Sequence, residues 1–246
     1  MLEVKNIYKS YKNSFFFSNK CQNILKDISF NMEDNICLGI LGESGSGKST
    51  LGRLILGIEK PDSGQILFDG KDVQKREWRK GKMSAVFQDY TSSTNPNWTV
   101  EETIKEPLEL LKIDYDRKYI CKLLEEVGLN EKYLSRYPHE LSGGETQRVC
   151  IARTIATKPK FILLDEAISS LDVSVQVQIL DLLKKIYKSN KMSFLFITHD
   201  IQAATYICDE IIILKNGGIV ERLEVENINK AKHPYFRQLL NAVFTI

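Results

Sequence analysis

The chain has 246 residues, enough for one large domain or for a core carrying an inserted lobe. Its 34 Lys+Arg and 32 Asp+Glu leave a formal charge of +2, without the basic excess that a nucleic-acid partner ordinarily demands. No apolar run approaches the roughly 18 residues that span a bilayer, and Met1-Leu2-Glu3-Val4-Lys5 is not a signal peptide, so a membrane function needs another subunit to do the crossing.

Leu2 to Ile7 alternates like a strand, and Ile24–Phe30 and Gln65–Val73 read as further strands. Pro61-Asp62-Ser63-Gly64 and Asp69-Gly70 supply turns between or beside them, so a small antiparallel sheet is expected. Tyr11 falls between the first two strands, where it would either stack on a purine or cover the sheet edge; both readings stay open on the residues alone. Phe15-Phe16-Phe17 in the same loop reads as a local hydrophobic anchor. The apolar run Ile36–Leu41 is a buried strand, and Leu51–Leu56 is an apolar helix. Between them stands Gly42-Glu43-Ser44-Gly45-Ser46-Gly47-Lys48-Ser49-Thr50, of the form GxxxxGK[ST] in the strand–loop–helix context that gives it meaning. Glycines let successive N–H groups turn inward and the helix adds its positive end, which together hold a triphosphate. Lys48 brings a charge to the β- and γ-phosphates, and the Ser49 hydroxyl suits Mg²⁺. This stretch is a nucleoside-triphosphate site.

Ser84–Gln88 reads as another strand, followed by a polar loop from Asp89 to Trp98. Thr99-Val100-Glu101-Glu102 has the capping-box form, and helices are expected from there to Leu111 and from Asp116 to Val127, stopped by Gly128. Pro107 should kink or end the first. The apolar stripes on both make this an inserted helical lobe. Leu141-Ser142-Gly143-Gly144-Glu145 then opens a helix to about Thr157, a second anion-binding arrangement. Phe161–Glu166 is a buried strand ending in two carboxylates, with Asp165 suited to Mg²⁺ and Glu166 to orienting or deprotonating a water. A polar loop, Ile168 to Asp172, precedes a helix bearing Ile179, Leu182, Leu183 and Ile186. His199 follows the strand Phe194–Ile197, placed for a polar contact with the terminal phosphate. Glu210–Leu214 is a strand, Asn216-Gly217-Gly218 a turn, and the tail from Glu224 ends in a helix around His233–Val243 with no evident chemistry. The five cysteines lack any CxxC or metal spacing, which suggests free thiols, mostly buried, in a reducing cytosol.

These elements in this order resemble the ATP-binding subunit of ABC transporters over almost the whole chain. The resemblance implies an α/β fold: a P-loop NTPase core with a mainly parallel sheet, an N-terminal antiparallel β subdomain and an inserted α-helical subdomain. It implies one domain over 1–246, with the core at 1–88 and 141–222, the helical subdomain at 89–140 and a tail at 223–246. ATP and Mg²⁺ would be the ligands. Tyr11 would stack on adenine and residues Gly42 to Thr50 would hold the phosphates. Gln88 would reach toward Mg²⁺ and the attacking water, Asp165 would hold Mg²⁺, Glu166 would be the general base and His199 would touch the γ-phosphate. Ser142, Gly143, Gly144 and Glu145 would form the signature loop that completes the partner subunit's ATP, and Asp172 would lie in the loop crossing between subunits.

Within the family the chain resembles the peptide and nickel importer branch, which also takes up metal–chelator complexes. Phe87-Gln88-Asp89 with Ser92-Ser93 and Asn95-Pro96, Arg136-Tyr137-Pro138-His139-Glu140-Leu141-Ser142-Gly143-Gly144, and His233-Pro234-Tyr235 with Leu239-Leu240 carry that likeness. The implied partners are a second ATPase subunit (a different chain, or a second copy in isolation), two membrane-spanning permease subunits and, indirectly, an external substrate-binding protein; no nucleic acid is implied. The implied place is the cytoplasmic face of the membrane. A soluble ATPase acting on nucleic acid or the ribosome, or an exporter or lipoprotein-release ATPase, is the alternative. Tyr90, Thr94 and Asn97 depart from the branch in the presumed docking groove, and Glu145 replaces its usual Gln. A carboxylate facing ATP is costly, since unit charges about 4 Å apart interact by roughly 4 kcal/mol at an effective dielectric near 20. Glu145 is therefore expected to turn away.

Overall fold

The computed structural model describes residues 1–12, 21–89, 93–169 and 171–243. The readings placed on Phe15–Phe17, Tyr90 and Ser92 lie outside the described residues. In chain order the elements begin with β1 (Leu2–Lys12), β2 (Cys21–Met32), β3 (Cys37–Leu41), α1 (Lys48–Ile55), β4 (Ser63–Phe68), β5 (Lys71–Asp72), α2 (Arg76–Arg79) and β6 (Met83–Phe87). They continue with α3 (Val100–Leu111), α4 (Arg117–Glu126), α5 (Gly143–Ile155), β7 (Phe161–Asp165), α6 (Val173–Asn190), β8 (Ser193–Thr198), α7 (Ile201–Ile207), β9 (Glu210–Lys215), β10 (Gly218–Glu224) and α8 (Pro234–Val243).

The chain divides into two compact units, Met1–Arg79 with the segment from Ser193 onward, and Lys80–Met192. The first unit holds the antiparallel sheet β2-β1-β4-β5. It also holds β3 paired in parallel with both β8 and β9, and β10 antiparallel to β9. All five residues of β3 are buried, as are the six of β8, which is why both read as unbroken apolar runs rather than alternations. α7 packs on β3 and β8, and α8 packs on α7.

Two sequence expectations are corrected here. Tyr11 does not lie between strands: β1 runs on to Lys12, and Tyr11 pairs with Gln22 of β2. The stretch Gln65–Val73 is not one strand but the hairpin β4–β5, turned at Asp69 (φ 48°) and Gly70 (φ 71°). Positive φ at both central residues is the turn geometry that Asp-Gly favours, because it matches the strand twist.

The second unit is built on α5, buried on most of its length and packed by α3, α4, α6 and β6. A helix apolar on most sides belongs in the interior. β6 and β7 pair in parallel. The Thr99 capping box forms: the Thr99 hydroxyl accepts from the Glu102 N–H at 3.2 Å, and the Glu102 carboxylate accepts from the Thr99 N–H at 2.7 Å. Pro107 does not end α3, which continues to Leu111. Proline removes one backbone bond, and the burial of Ile104 and Leu108 on the same face keeps the helix in place.

Candidate active site

In the first unit the phosphate loop leaves β3 and enters α1, and its shape is forced by glycine at two points. A Cβ on Gly42 would stand 2.3 Å from the Leu214 carbonyl oxygen of the adjoining strand β9. Gly47 has φ 103°, and a Cβ there would meet Leu25 Cδ2 at 2.7 Å and the Ile24 carbonyl oxygen at 3.0 Å. The loop is thus pressed against β9 on one side and β2 on the other. The N-cap of α1 is Gly47, which brings no side chain to cap it. Lys48 is 6% exposed, with its Nζ donating to the carbonyls of Gly42 (2.7 Å) and Glu43 (3.0 Å). The Ser46 hydroxyl is buried with no hydrogen-bond partner. A buried ammonium, an uncapped helix start and an orphaned hydroxyl form a cradle for a dense anion.

The register of the same sheet brings His199 to this edge. Leu41 and Thr198 are partners at the ends of parallel strands, so Gly42 and His199 leave side by side, with His199 exposed. Tyr11 sits where β1 pairs with β2 near the glycine-packed Ile24, and the residue is 36% exposed.

One contact was invisible in the sequence. Tyr235, in the tail that offered no chemistry, is 5% exposed and its hydroxyl accepts from the Glu43 N–H at 3.2 Å. Lys215 Nζ stands 4.0 Å from its ring centroid. Burial, then the nearby Glu43 carboxylate, push the Tyr235 hydroxyl above its ordinary pKa. The only sequence signal was His-Pro-Tyr itself: Pro234 starts α8, and the His233 ring nitrogen accepts from the Tyr235 N–H at 3.2 Å.

In the second unit Phe87 and Asp165 are partners in the parallel pair, so Gln88 and Glu166 leave its same edge. Asp165 is buried and Gln88 exposed. Glu166 has a left-handed backbone (φ 50°), and its carbonyl accepts from the Ser169 N–H (3.2 Å) and hydroxyl (2.9 Å), which fixes the turn behind it. The two residues that follow, Ala167 and Ile168, are held by two glutamines that the sequence did not single out. Gln147 of α5 donates to the Ala167 carbonyl at 2.7 Å, and Gln176 of α6 to that of Ile168 at 3.0 Å. No sequence signal marked Gln147, whose complete burial is visible only in the structure. Asp172 precedes α6 but its carboxylate does not cap it.

At the start of α5, Ser142 and Glu145 form a capping box. The Ser142 N–H donates to the Glu145 carboxylate at 2.8 Å, and the Glu145 N–H to the Ser142 hydroxyl oxygen at 3.3 Å. The second carboxylate oxygen accepts from the Tyr133 hydroxyl at 2.5 Å. Tyr133 first, and then the Ser142 N–H, hold the Glu145 carboxyl below the ordinary glutamate range. A Cβ on Gly144 would stand 2.7 Å from Val175 Cγ1, so glycine is set here by the approach of α6. The loop leading to α3 is fixed by Arg153, whose guanidinium donates to the Ser93 carbonyl at 2.9 Å and pairs with Glu106.

The ABC transporter family profile matches residues 25–169. The chain is similar to the metal-staphylopine import system ATP-binding protein CntF of Staphylococcus aureus, with 47% identity over 98% of both chains. It is 39% identical to the oligopeptide transport ATP-binding protein OppF of Bacillus subtilis, over 99% of this chain and 82% of that one. Among solved structures it resembles the dimeric ATP-binding cassette MJ0796 in a post-hydrolysis state with ADP and Pi, with a TM-score of 0.81 and 30% identity over 92% of this chain and 99% of that one.

Proposed function

The chain belongs to the ABC transporter family, as an ATP-hydrolysing cassette of the importer kind, and from that premise we propose how its residues divide the work. The alternatives of a nucleic-acid or ribosome ATPase and of an exporter are set aside, because the relatives include the ATP-binding proteins of metal-staphylopine and nickel import systems. The observation that carries the site assignment is the anion cradle of Lys48, Ser46 and the uncapped α1.

Tyr11 stacks on the adenine, the N–H groups from Gly42 to Thr50 hold the phosphates, and Lys48 neutralises their charge as it leaves its two carbonyls. The donors available for Mg²⁺ are all oxygens, from Ser49, Asp165 and Gln88, the ligand chemistry that this ion prefers; with them it would neutralise charge on the phosphates. Glu166 takes the proton of the attacking water and His199 steadies the γ-phosphate. Ser142, whose O–H can still donate, and the N–H groups of Gly143 and Gly144 act on the ATP of a second ATPase subunit. Glu145 belongs to that loop but spends its carboxylate on Ser142 and Tyr133, away from a phosphate contact. Asp172 reaches the partner subunit. Residues 89–140 serve as the helical subdomain, between core segments 1–88 and 141–222, with 223–246 as the tail.

Among the described residues no helix is long and apolar enough to cross a membrane. The assembly we propose therefore has two permease subunits and a second ATPase chain, at the cytoplasmic face, with an external binding protein delivering a peptide or a transition-metal chelate. The decisive test is Glu166→Gln in the assembled complex. ATP binding should persist while turnover falls by about a hundredfold or more, as expected for loss of a general base; retained turnover would reject the assignment. Stimulation of the parent complex by metal chelates, by peptides or by neither separates the cargo classes.

A further inference from the structure

We propose that Glu59 is a positioning residue for base recognition: with Arg53 it ties the Tyr11 ring to the helix behind the phosphate loop, so that adenine and phosphates are received in one frame. The inference rests on Tyr11 stacking on the base.

The contacts form a chain. The Tyr11 hydroxyl donates to one carboxylate oxygen of Glu59. The other oxygen accepts from Arg53 Nε at 2.7 Å, and Arg53 Nη2 lies 3.4 Å from the hydroxyl of Thr50, the last residue of the phosphate loop. Burial works to raise the Glu59 carboxyl's pKa, but the Tyr11 hydroxyl and Arg53 outweigh it and keep the group ionised. Around this chain the end of β1 is fastened twice more. The Ser10 N–H and hydroxyl both donate to Asp62, at 2.7 and 2.6 Å, and Lys9 Nζ donates to the Lys60 carbonyl at 2.7 Å. That same ammonium stands 5.3 Å from the Tyr11 ring centroid, a cation–π distance. It thus adds a second contact to the ring beside the one at its hydroxyl.

Stability does not explain this arrangement. Tyr11 is exposed at a strand end, and surface ion pairs there add little to folding. What a fixed hydroxyl provides is preorganisation. An aromatic ring held in place before the base arrives loses less freedom on stacking, and the affinity rises accordingly.

The test uses the purified full-length chain, with two probes: the β,γ-imido analogue of ATP and inorganic tripolyphosphate, which has no base. Tyr11→Phe keeps the ring and removes the hydroxyl. It should weaken the imido analogue by about threefold to tenfold, the range of one ordinary hydrogen bond, since at this exposed site water competes for the carboxylate, and leave tripolyphosphate unchanged. Glu59→Ala should match it, Glu59→Gln should recover part of the loss because its amide oxygen still accepts from the hydroxyl, and Tyr11→Phe with Glu59→Ala should lose no more than either alone. If Tyr11→Ala weakens the imido analogue while Tyr11→Phe and Glu59→Ala bind like the parent, stacking stands and the tether is refuted. If Tyr11→Ala also binds like the parent, the stacking itself is wrong and the tether goes with it. Equal weakening of tripolyphosphate overturns the proposal too, since Glu59 would then be acting on the phosphate loop.

Discussion

The chain contains two glycine-rich helix starts, and they are finished in opposite ways. At α1 no side chain caps the helix, and the loop is shaped by outside backbone, at Leu214 and at Ile24. At α5 the first turn caps itself, Ser142 and Glu145 satisfying each other and Tyr133 taking the remaining carboxylate oxygen. Four N–H groups at the start of any helix need partners. At α1 the N-cap is Gly47, which has no side chain to offer them, and Lys48 is buried beside the loop. At α5 an internal carboxylate already uses part of the positive end, which agrees with the proposed role of this loop in completing a partner's site rather than founding one.

The comparison breaks first at Lys48. Lys48→Ala should weaken ATP binding by about tenfold to a hundredfold, as for a buried charge-assisted contact, measured on the isolated chain. Ser142→Ala should leave that isolated binding unchanged. If both weaken it alike, the two helix starts are not different in kind. Next comes Gly144→Ala, which places a methyl 2.7 Å from Val175 Cγ1. Overpacking of this sort costs about 1–3 kcal/mol. Turnover of the assembled complex should drop, and Val175→Ala added to it should restore the loss by opening the space.

How much of this was readable beforehand follows from the range of the contacts. The phosphate loop was legible because strand, glycines, lysine and helix are consecutive, and the Thr99 box because its partners are three residues apart. The end of β7 was legible for the same reason. Tyr11 was misplaced into a loop, since its strand extends only because Gln22 pairs with it across the hairpin. Gln147 was missed because its partner is the Ala167 carbonyl, 20 residues on, and nothing local marks a buried amide as useful. Tyr235 lies 192 residues from the Glu43 N–H it accepts, beyond any pattern that spacing reveals.

Glu145→Gln sharpens the comparison through pH. Tyr133 and the Ser142 N–H hold the Glu145 carboxyl below its ordinary value of 4.5. A depressed carboxyl adds stability above its unfolded value and loses it as pH falls through the folded one. Acid titration of the thermal midpoint should therefore show a decline starting below about pH 4.5 that Glu145→Gln flattens. The glutamine still closes the box, so at neutral pH the cost should stay under about 1 kcal/mol. A parent and variant with identical acid limbs would show that the carboxylate is not part of the cap.

The smallest effect is expected at the other helix start. Tyr235→Phe removes only the hydroxyl that accepts from the Glu43 N–H, and the ring keeps its place beneath Lys215. One neutral hydrogen bond contributes about 0.5–1.5 kcal/mol, so ATP affinity should fall by about twofold to tenfold with the fold intact. Since the Gly47 N-cap brings no side chain of its own, this bond from the tail helps to fix the loop from outside. The loss should appear in binding to the isolated chain and be as large for tripolyphosphate as for the imido analogue of ATP, because the tail touches the phosphate loop and not the base. A loss confined to the imido analogue would place Tyr235 with Tyr11 instead, and an unchanged affinity for both would mean that the loop holds its shape through β2 and β9 alone.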